Sequence, residues 1–362
     1  MLHGFQYAKA YDGRVHFNKP REYSILQAAS QVLPQQLAAT SGNSTSTITF
    51  NVVPSSQSII DRNMKVRYSL RFTLTGTTSA PGVNVYSSTT DCLKPLPVSS
   101  AMANCNVQLN GQSFNNSPKD YAQLLLRMCD SNQRNLLFSE TSAQPDFVQD
   151  YSQWNPSTNT IGLQRSPFVG FGNNVLEDSR ASYTYTVVSN TNLQAVIDCQ
   201  VTEPLLISPL VWENQQVPAL VFLSQLQIQI QLSNLAASWS HLTVSGANTR
   251  TLTAIDVTFT AAPQLLFTEL NPKDSIKLDP ERIYSYPMNK LYVQENTNVT
   301  LASGASQTLT TNTISLPVIP EKVYIFARRS DATRTWETSE TFAAIENINI
   351  KSVSYTHLRA HE

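Results

Sequence analysis

The segment from residue 63 to residue 75 alternates between apolar and polar side chains almost without interruption. The apolar series is Met64, Val66, Tyr68, Leu70, Phe72 and Leu74, and the polar series is Lys65, Arg67, Ser69, Arg71 and Thr73. Because successive side chains of a β-strand point to opposite faces, this pattern predicts a long strand with one buried face and one face turned to solvent or a partner. The same period returns at 226–232 and 255–259. We therefore predict an all-β fold.

The bulk composition narrows the class of function. The chain has 362 residues, of which 41% are hydrophobic and 14% charged, with a formal net charge of −1. Ordinary soluble domains carry about 25% charged residues, so this surface is unusually neutral. A neutral surface suits contact with copies of the same chain, because few ions lose water when the interface closes. The near-zero net charge argues against a protein that mainly grips nucleic acid.

A slight excess of basic residues occupies the first 22 positions. Four cations (Lys9, Arg14, Lys19 and Arg21) stand against Asp12 and Glu22. An acidic partner and an ordinary solvated arm both remain open as interpretations, and the arm is favoured. Any contact with nucleic acid is expected to be weak or indirect.

The spacing of the cysteines and the length of the apolar runs indicate the kind of cellular compartment in which the chain is made. Cys92, Cys105, Cys129 and Cys199 are far apart in sequence and form no C-x-x-C motif, which favours four reduced, mostly buried thiols. No apolar run reaches the roughly 18 residues of a membrane span, and the first residues lack the apolar core of a signal peptide. Synthesis in a reducing compartment is expected.

The predicted strands fall into two series, which suggests two consecutive jelly-roll β-sandwiches. We expect an N-terminal arm over 1–45, a first jelly roll over 46–240 and a second, incomplete jelly roll over 241–352. The first series covers 46–53, 63–76, 181–188, 195–209 and 219–232. The second covers 251–260, 264–270, 282–293, 307–316, 321–328 and 342–351, after a linker over 234–250. The stretches 77–102 and 131–180 are predicted to be long loops.

Two local signals interrupt the strands. Asn110-Gly111 lies between alternating residues and predicts a two-residue hairpin, since a type I′ turn needs positive φ at both central positions. A helix is predicted over 117–130, where Ser117 can cap and Pro118 fits the first helical position. Apolar residues then recur at helical spacing from Tyr121 to Met128.

The last ten residues, 353–362, resemble a translated sequencing adaptor rather than native protein. On this interpretation the native chain is cut near Ser352, and the second jelly roll lacks its last strands. His357 and His361 stand four residues apart, a spacing that on a helix would suggest a zinc site, but an adaptor would make the pair meaningless.

The sequence predicts no catalytic, cofactor-binding or metal-binding residue, and no enzyme activity. Outside the tail the histidines are His3, His16 and His241, too scattered for a metal site, and His241 is expected to be packed or hydrogen-bonded. No nucleophile elbow, phosphate loop or zinc-protease motif occurs. Gly170 and Gly172 lack the third glycine and the context of a dinucleotide loop.

Charged residues on the predicted strands have structural interpretations. Asp198 and Glu203 stand in strand-like sequence, and Glu203 has apolar neighbours. A carboxylate in such a place needs a partner, such as Arg67 or Arg71 on another strand, so an ion pair or subunit contact is favoured over a general acid. The row formed by Lys65, Arg67 and Arg71 is interpreted as a solvated strand face rather than a nucleic-acid surface.

Three segments resemble the major capsid proteins of double-jelly-roll viruses, the hexon-like and Polinton-like or adintovirus-like shells. The segment 203–210 with the ladder at 219–232 is similar to the closing strands of a first jelly roll. The segment 263–267 running on to 284–287 is similar to the opening of a second. The third is 319–328 with 342–350, which is similar to a later strand pair.

The resemblance implies a structural role. It implies three subunits forming a pseudo-hexameric capsomer, capsomers tiling an icosahedral shell, a place in the virion, and contacts with penton or minor capsid proteins. It also implies that the loops 77–102 and 131–180 face outward or contact neighbours. The alternatives are a single-jelly-roll or minor capsid protein and, in a different class, a β-sandwich adhesin or carbohydrate-binding surface protein. A hydrolase on a β scaffold is the least favoured.

Overall fold

The computed structural model describes residues 29–55, 58–78, 85, 92–94, 96–128, 182–189, 194–207, 219–241 and 250–272, with short segments between 292 and 350. Its strands are β1 (Ala29–Ala38), β2 (Thr47–Val52), β3 (Ile59–Ile60), β4 (Lys65–Thr78), β5 (Cys92–Leu93), β6 (Met102–Leu109), β7 (Gln112–Asn116), β8 (Ser182–Ser189), β9 (Gln194–Pro204), β10 (Leu226–Leu232), β11 (Trp239–Ser240), β12 (Arg250–Phe259) and β13 (Gln264–Pro272). The helix α1 (Pro118–Met128) is the α-helix of these residues.

The strands of the described residues form two main antiparallel sheets. Sheet A has the order β1-β13-β4-β9-β8, with β12 also on β4 and β3 on β13. Sheet B has the order β2-β10-β6-β7, and β5 pairs with β11 in a small third sheet. The two main sheets enclose one core, since buried side chains of β4 and β9 belong to the same apolar cluster as those of β2, β6 and β10. This arrangement is the sandwich that the alternating ladders predict.

The ladder at 63–75 is confirmed as the central strand of sheet A. Its apolar members are fully buried, while Arg71 on the opposite face is exposed. Strand β4 pairs with β9 from Lys65 to Thr75 and with β12 from Leu70 to Thr78. The backbone groups of β4 therefore form hydrogen bonds with β9 along one edge and with β12 along the other. The ladder of β10 is also confirmed, with Leu226, Ile228 and Ile230 buried against β4 and its neighbours.

Strands β12 and β13 correct one part of the sequence interpretation. The segments 251–260 and 264–270 were expected to open the second jelly roll, but both pair with β4 on the same side, one after the other. Beyond Leu266 strand β13 continues alongside β1. The alternating pattern shows which face of a strand is buried but not which strand lies beside it, and this explains the difference.

Strand β1 is a second correction. The region 1–45 was predicted to be an arm, yet residues 29–38 pair with β13 from Ala38–Gln264 to Ala29–Pro272. Residues 1–28 lie outside the described part of the chain. The mixed composition of β1, which includes Pro34, conceals the strand because an edge strand tolerates polar residues and proline.

The helix and the hairpin occur where they were predicted. Helix α1 is described from Pro118 to Met128, within the predicted range of 117–130. At the tip of the β6–β7 hairpin Asn110 and Gly111 have φ of 46° and 86°, the positive values that a two-residue turn needs. The first-series strands lie within a few residues of their predicted bounds, except that β10 begins at 226 and β9 ends at 204.

The later segments of the second predicted series form no strand among the described residues. Among the described residues of 307–316, 321–328 and 342–351 there is no strand, and Ala327 alone forms a bridge. Apolar side chains in these segments are exposed, such as Ile314 and Ile350. A strand requires a partner for its backbone groups, and the described chain supplies none here. The strand at 282–293, the long loop at 131–180 and the tail at 353–362 lie essentially outside the described residues.

Candidate functional site

The most constrained polar group of the described chain is the carboxylate of Glu203. It lies near the end of β9, is 1% exposed, and points from sheet A toward the turn that precedes β6. One oxygen accepts the backbone N–H of Val98 at 2.8 Å. The other accepts the backbone N–H of Ser99 at 2.7 Å and the Ser99 hydroxyl at 2.5 Å. The carboxylate therefore caps the 3₁₀ turn Ser99–Ala101 and ties it to sheet A.

Helix α1 is attached to the same turn. The side-chain amide of Gln123 donates to the Ser100 hydroxyl at 2.9 Å. Two residues earlier in the helix, the Tyr121 hydroxyl donates to the carbonyl of Leu206 at 2.6 Å, just after β9 ends. We call the group formed by Glu203, Ser99, Ser100, Tyr121 and Gln123 the polar junction. It fixes the helix, the turn and sheet A relative to one another.

The electrostatics of the polar junction point to a structural role. Burial raises the pKa of Glu203, and the hydrogen bonds from Ser99 and Val98 oppose that rise. Burial, with a contribution from Glu203, raises the pKa of Tyr68 well above its usual value. Burial also raises the pKa of the Cys105 thiol to about 12, so no thiolate is present at neutral pH. With Glu203 closed to solvent, a substrate cannot reach these groups.

The partner predicted for Glu203 was wrong. Neither Arg67 nor Arg71 reaches this carboxylate, because Glu203 lies opposite Val66 on the inner face while both arginines belong to the outer face. Backbone N–H groups stabilise the charge instead. Residue types alone could not reveal this partner, because every residue except proline carries the same main-chain donor.

An ion pair of the kind predicted for Glu203 is formed instead by the other carboxylate, Asp198. Arg71 and Asp198 face each other across β4 and β9, with Nε–Oδ1 and Nη2–Oδ2 both at 2.7 Å. The hydrogen bond and the charge of Arg71 hold the pKa of Asp198 below its usual value. Both side chains are well exposed, so the pair contributes little to stability. It does neutralise part of the basic row that includes Lys65 and Arg67.

A second polar centre lies at the tip of the β6–β7 hairpin. The Asn110 Oδ1 accepts from the backbone N–H of Ser224 at 2.8 Å and of Gln225 at 3.3 Å, and from the Ser224 hydroxyl at 3.0 Å. Its Nδ2 donates to the carbonyl of Phe222 at 3.0 Å. Asn110 thus fixes the loop before β10, a contact that the Asn-Gly motif does not reveal.

One contact joins the described C-terminal segments to helix α1. The Arg328 guanidinium donates to the carbonyl of Lys119 at 3.0 Å and to Asp120 Oδ1 at 3.3 Å. Both side chains of the ion pair are mostly buried. Arg328 therefore binds the first turn of helix α1.

The remaining sequence candidates offer no reactive constellation. His241 and its neighbour Trp239 are buried, and the Trp239 ring lies 5.1 Å from that of Phe72. Cys105 and Cys199 are buried free thiols, as predicted. His3, His16, Gly170, Gly172, His357 and His361 lie outside the described residues.

The part of the chain that the structure describes contains neither a cluster of metal ligands nor a membrane-spanning helix. No group of three or more His, Cys, Asp or Glu side chains there could hold a metal ion. Among the same residues, no helix has the length and apolar character needed to cross a membrane.

Two facing antiparallel sheets around one apolar core make the described part of the chain a β-sandwich protein. Residues 5–272 match the family model of the Sputnik virophage major capsid protein 1st domain. Residues 286–354 match the model of the major capsid protein V20 C-terminal domain. The chain therefore belongs to the virophage major capsid protein family.

Individual relatives agree with this assignment. The chain is 26% identical over 353 residues to the putative capsid protein V20 of Sputnik virophage, covering 93% of this chain and 58% of that protein. A chain of the 3.5 Å Sputnik virophage structure determined by cryo-EM matches with a TM-score of 0.59 at 24% identity, over 74% of this chain and 53% of that one. The mavirus major capsid protein crystal structure matches with a TM-score of 0.51 at 14% identity, over 76% and 52%.

These matches show the fold class and the share of each relative's length that this chain covers. The two solved neighbours are double-jelly-roll capsid proteins, so the predicted fold class is confirmed. The chain spans about 58% of the length of the curated relative and about half of the two structures.

Proposed function

We propose that this protein is a non-enzymatic structural subunit of a virion, which trimerises into pseudo-hexameric capsomers that tile an icosahedral shell. The observation that carries the proposal is the match over residues 5–272 to a capsid-protein domain, a span that includes both sheets of the sandwich. Neighbouring copies are its principal partners, with penton or minor capsid proteins as further ones.

The division of the chain is part of the proposal. We place the end of the first jelly roll near residue 272, because β12 and β13 complete sheet A. The second jelly roll then begins after 272 rather than at 241, in accord with the separate match over 286–354. The Arg328 contact with helix α1 would join the two units.

The contacts of the described chain support a scaffold. The core between the sheets is continuous, and the polar junction links helix α1 and the turn before β6 to sheet A. Buried side chains in a close-packed interior hold the outer faces in fixed geometry. A subunit that must present the same surfaces in many copies needs such rigidity.

Light scattering during size-exclusion chromatography tests the proposal, with electron microscopy of the eluted species. The full chain is expected to elute at three times the 40.2 kDa of one subunit, or as larger assemblies built from that unit. A stable monomer at micromolar concentration that binds immobilised glycans would instead identify a carbohydrate-binding surface protein and overturn the proposal.

A further inference from the structure

The outer face of sheet B consists almost entirely of side-chain amides. Register places Gln227 beside Asn51 and Gln108, and Gln229 beside Thr49 and Asn106. The face continues over Gln231, Thr47, Asn104, Ser113 and Asn115. We call this surface the amide face. Every residue on it is neutral and polar, and each is at least partly exposed.

The neutrality belongs to this face and not to the sandwich as a whole. The outer face of sheet A carries Lys65, Arg67 and Arg71 on β4, Asp198 on β9 and Asp256 on β12. Both sheets turn apolar side chains inward to the same core. Packing of the core therefore does not explain why the outer face of sheet A is charged and that of sheet B is neutral. The composition of the amide face therefore reflects what lies outside the sandwich.

The chemistry of the amide face suits a neutral polar partner. A side-chain amide has donors and an acceptor, so it can pair with another amide, a hydroxyl or a free backbone group. A carboxylate or an ammonium cannot pair with its own copy, and burying either costs far more. Phe114, the aromatic residue of β7, faces inward opposite Val107, so the face offers no ring on which a sugar could stack.

We propose that the amide face packs against another copy of this chain in the assembled shell. This inference rests on the proposed capsid function and names the surface that performs it. A second copy is the fitting occupant because only 14% of the residues of this chain are charged, so its surface presents neutral hydroxyls and amides. Identical copies can meet there without like-charge repulsion.

Substitution at the centre of the face tests the proposal. Gln229→Glu and Gln229→Lys place a charge of either sign between Thr49 and Asn106. Gln200→Glu, on the exposed outer face of sheet A, is the matched control. Self-association of the full chain is measured by sedimentation and electron microscopy, and folding is followed by circular dichroism and thermal melting.

Both Gln229 variants are expected to fold normally and to self-associate at least tenfold more weakly than the wild type, while Gln200→Glu matches the wild type. If both assemble like the wild type, the face is free in the shell and the proposal is overturned. If only one sign of charge weakens association, the partner surface is charged and the proposal is equally overturned. Should Gln229 variants lose the fold, the same pair of substitutions at Gln227 gives the answer.

The two proposals fail in different ways. A wild-type chain that does not self-associate refutes the capsid function itself. A wild-type chain that assembles, together with variants that assemble equally well, refutes only the role of the amide face.

Discussion

Replacing Glu203 by Gln tests whether the polar junction holds the sandwich and helix together. The substitution keeps the shape of the side chain but leaves one acceptor oxygen in place of two. The remaining oxygen can serve only one of the backbone N–H groups of Val98 and Ser99, and the new NH₂ faces the other. A buried charged hydrogen bond is lost and a buried donor is left unsatisfied, so the free energy of unfolding should fall by about 3 kcal/mol.

Urea denaturation, followed by tryptophan fluorescence, measures the change. A loss of about 3 kcal/mol lowers the urea midpoint by roughly 1 M for a slope of about 3 kcal/mol per molar. Glu269→Gln is the matched control, because this carboxylate on β13 makes only an exposed 3.4 Å contact with Ser55. It should change the free energy of unfolding by less than about 0.5 kcal/mol.

The pH dependence gives a second readout of the same variant. Burial raises the pKa of Glu203 above its ordinary value of 4.5. A group with a raised folded-state pKa contributes stability that is fully present below the unfolded pKa and is lost as the pH rises through the folded one. The gap between wild type and Glu203→Gln should therefore narrow as the pH increases from 4 to 8. Equal midpoints for wild type and variant at every pH would refute the reasoning.

Three further substitutions have defined outcomes. Gly76→Ala should lower the free energy of unfolding by about 2 kcal/mol in a urea titration, because a Cβ there would clash with the carbonyl oxygen of Thr251. An unchanged urea midpoint would show that β4 and β12 can separate locally. Arg71→Met should raise the pKa of Asp198 toward 3.8 in an NMR titration while leaving the melting temperature at pH 7 nearly unchanged; an unshifted pKa would mean that the ion pair is not formed in solution. Asn110→Ala should lower the free energy of unfolding by about 2 kcal/mol, because it removes the hydrogen bonds to the 222–225 loop and places Ala at positive φ. Thermal melting measures the change, and an unaltered midpoint would contradict this prediction.

The sequence predicts the elements of the first sandwich well because strand alternation is a local property. Each face of β4 and β10 was assigned correctly from residue type alone. The Asn110-Gly111 turn and helix α1 were likewise predicted from short-range rules. These features depend on neighbours within a few positions along the chain.

What could not be predicted depends on contacts between distant parts of the chain. β12 and β13 have ordinary strand sequences, and nothing in them shows that both lie along β4. Glu203 was expected to need a cation, but two backbone N–H groups more than a hundred residues earlier stabilise its charge. Strand pairing and contacts with main-chain donors depend on the topology of the fold. Topology is determined by many residues that are far apart in the chain, so no local sequence pattern reveals it.

Strand β1 has a mechanical consequence for the sandwich. Its nine registered pairs with β13 run antiparallel along an edge of sheet A, and Ala39 adds a bond from its N–H to the carbonyl of Pro263. A pull applied along the strand axis through residue 29 loads all of these hydrogen bonds together in shear, whereas a pull across the sheet would open them one by one. Tension along this edge is thus carried through β13 directly into β4, at the centre of the sandwich.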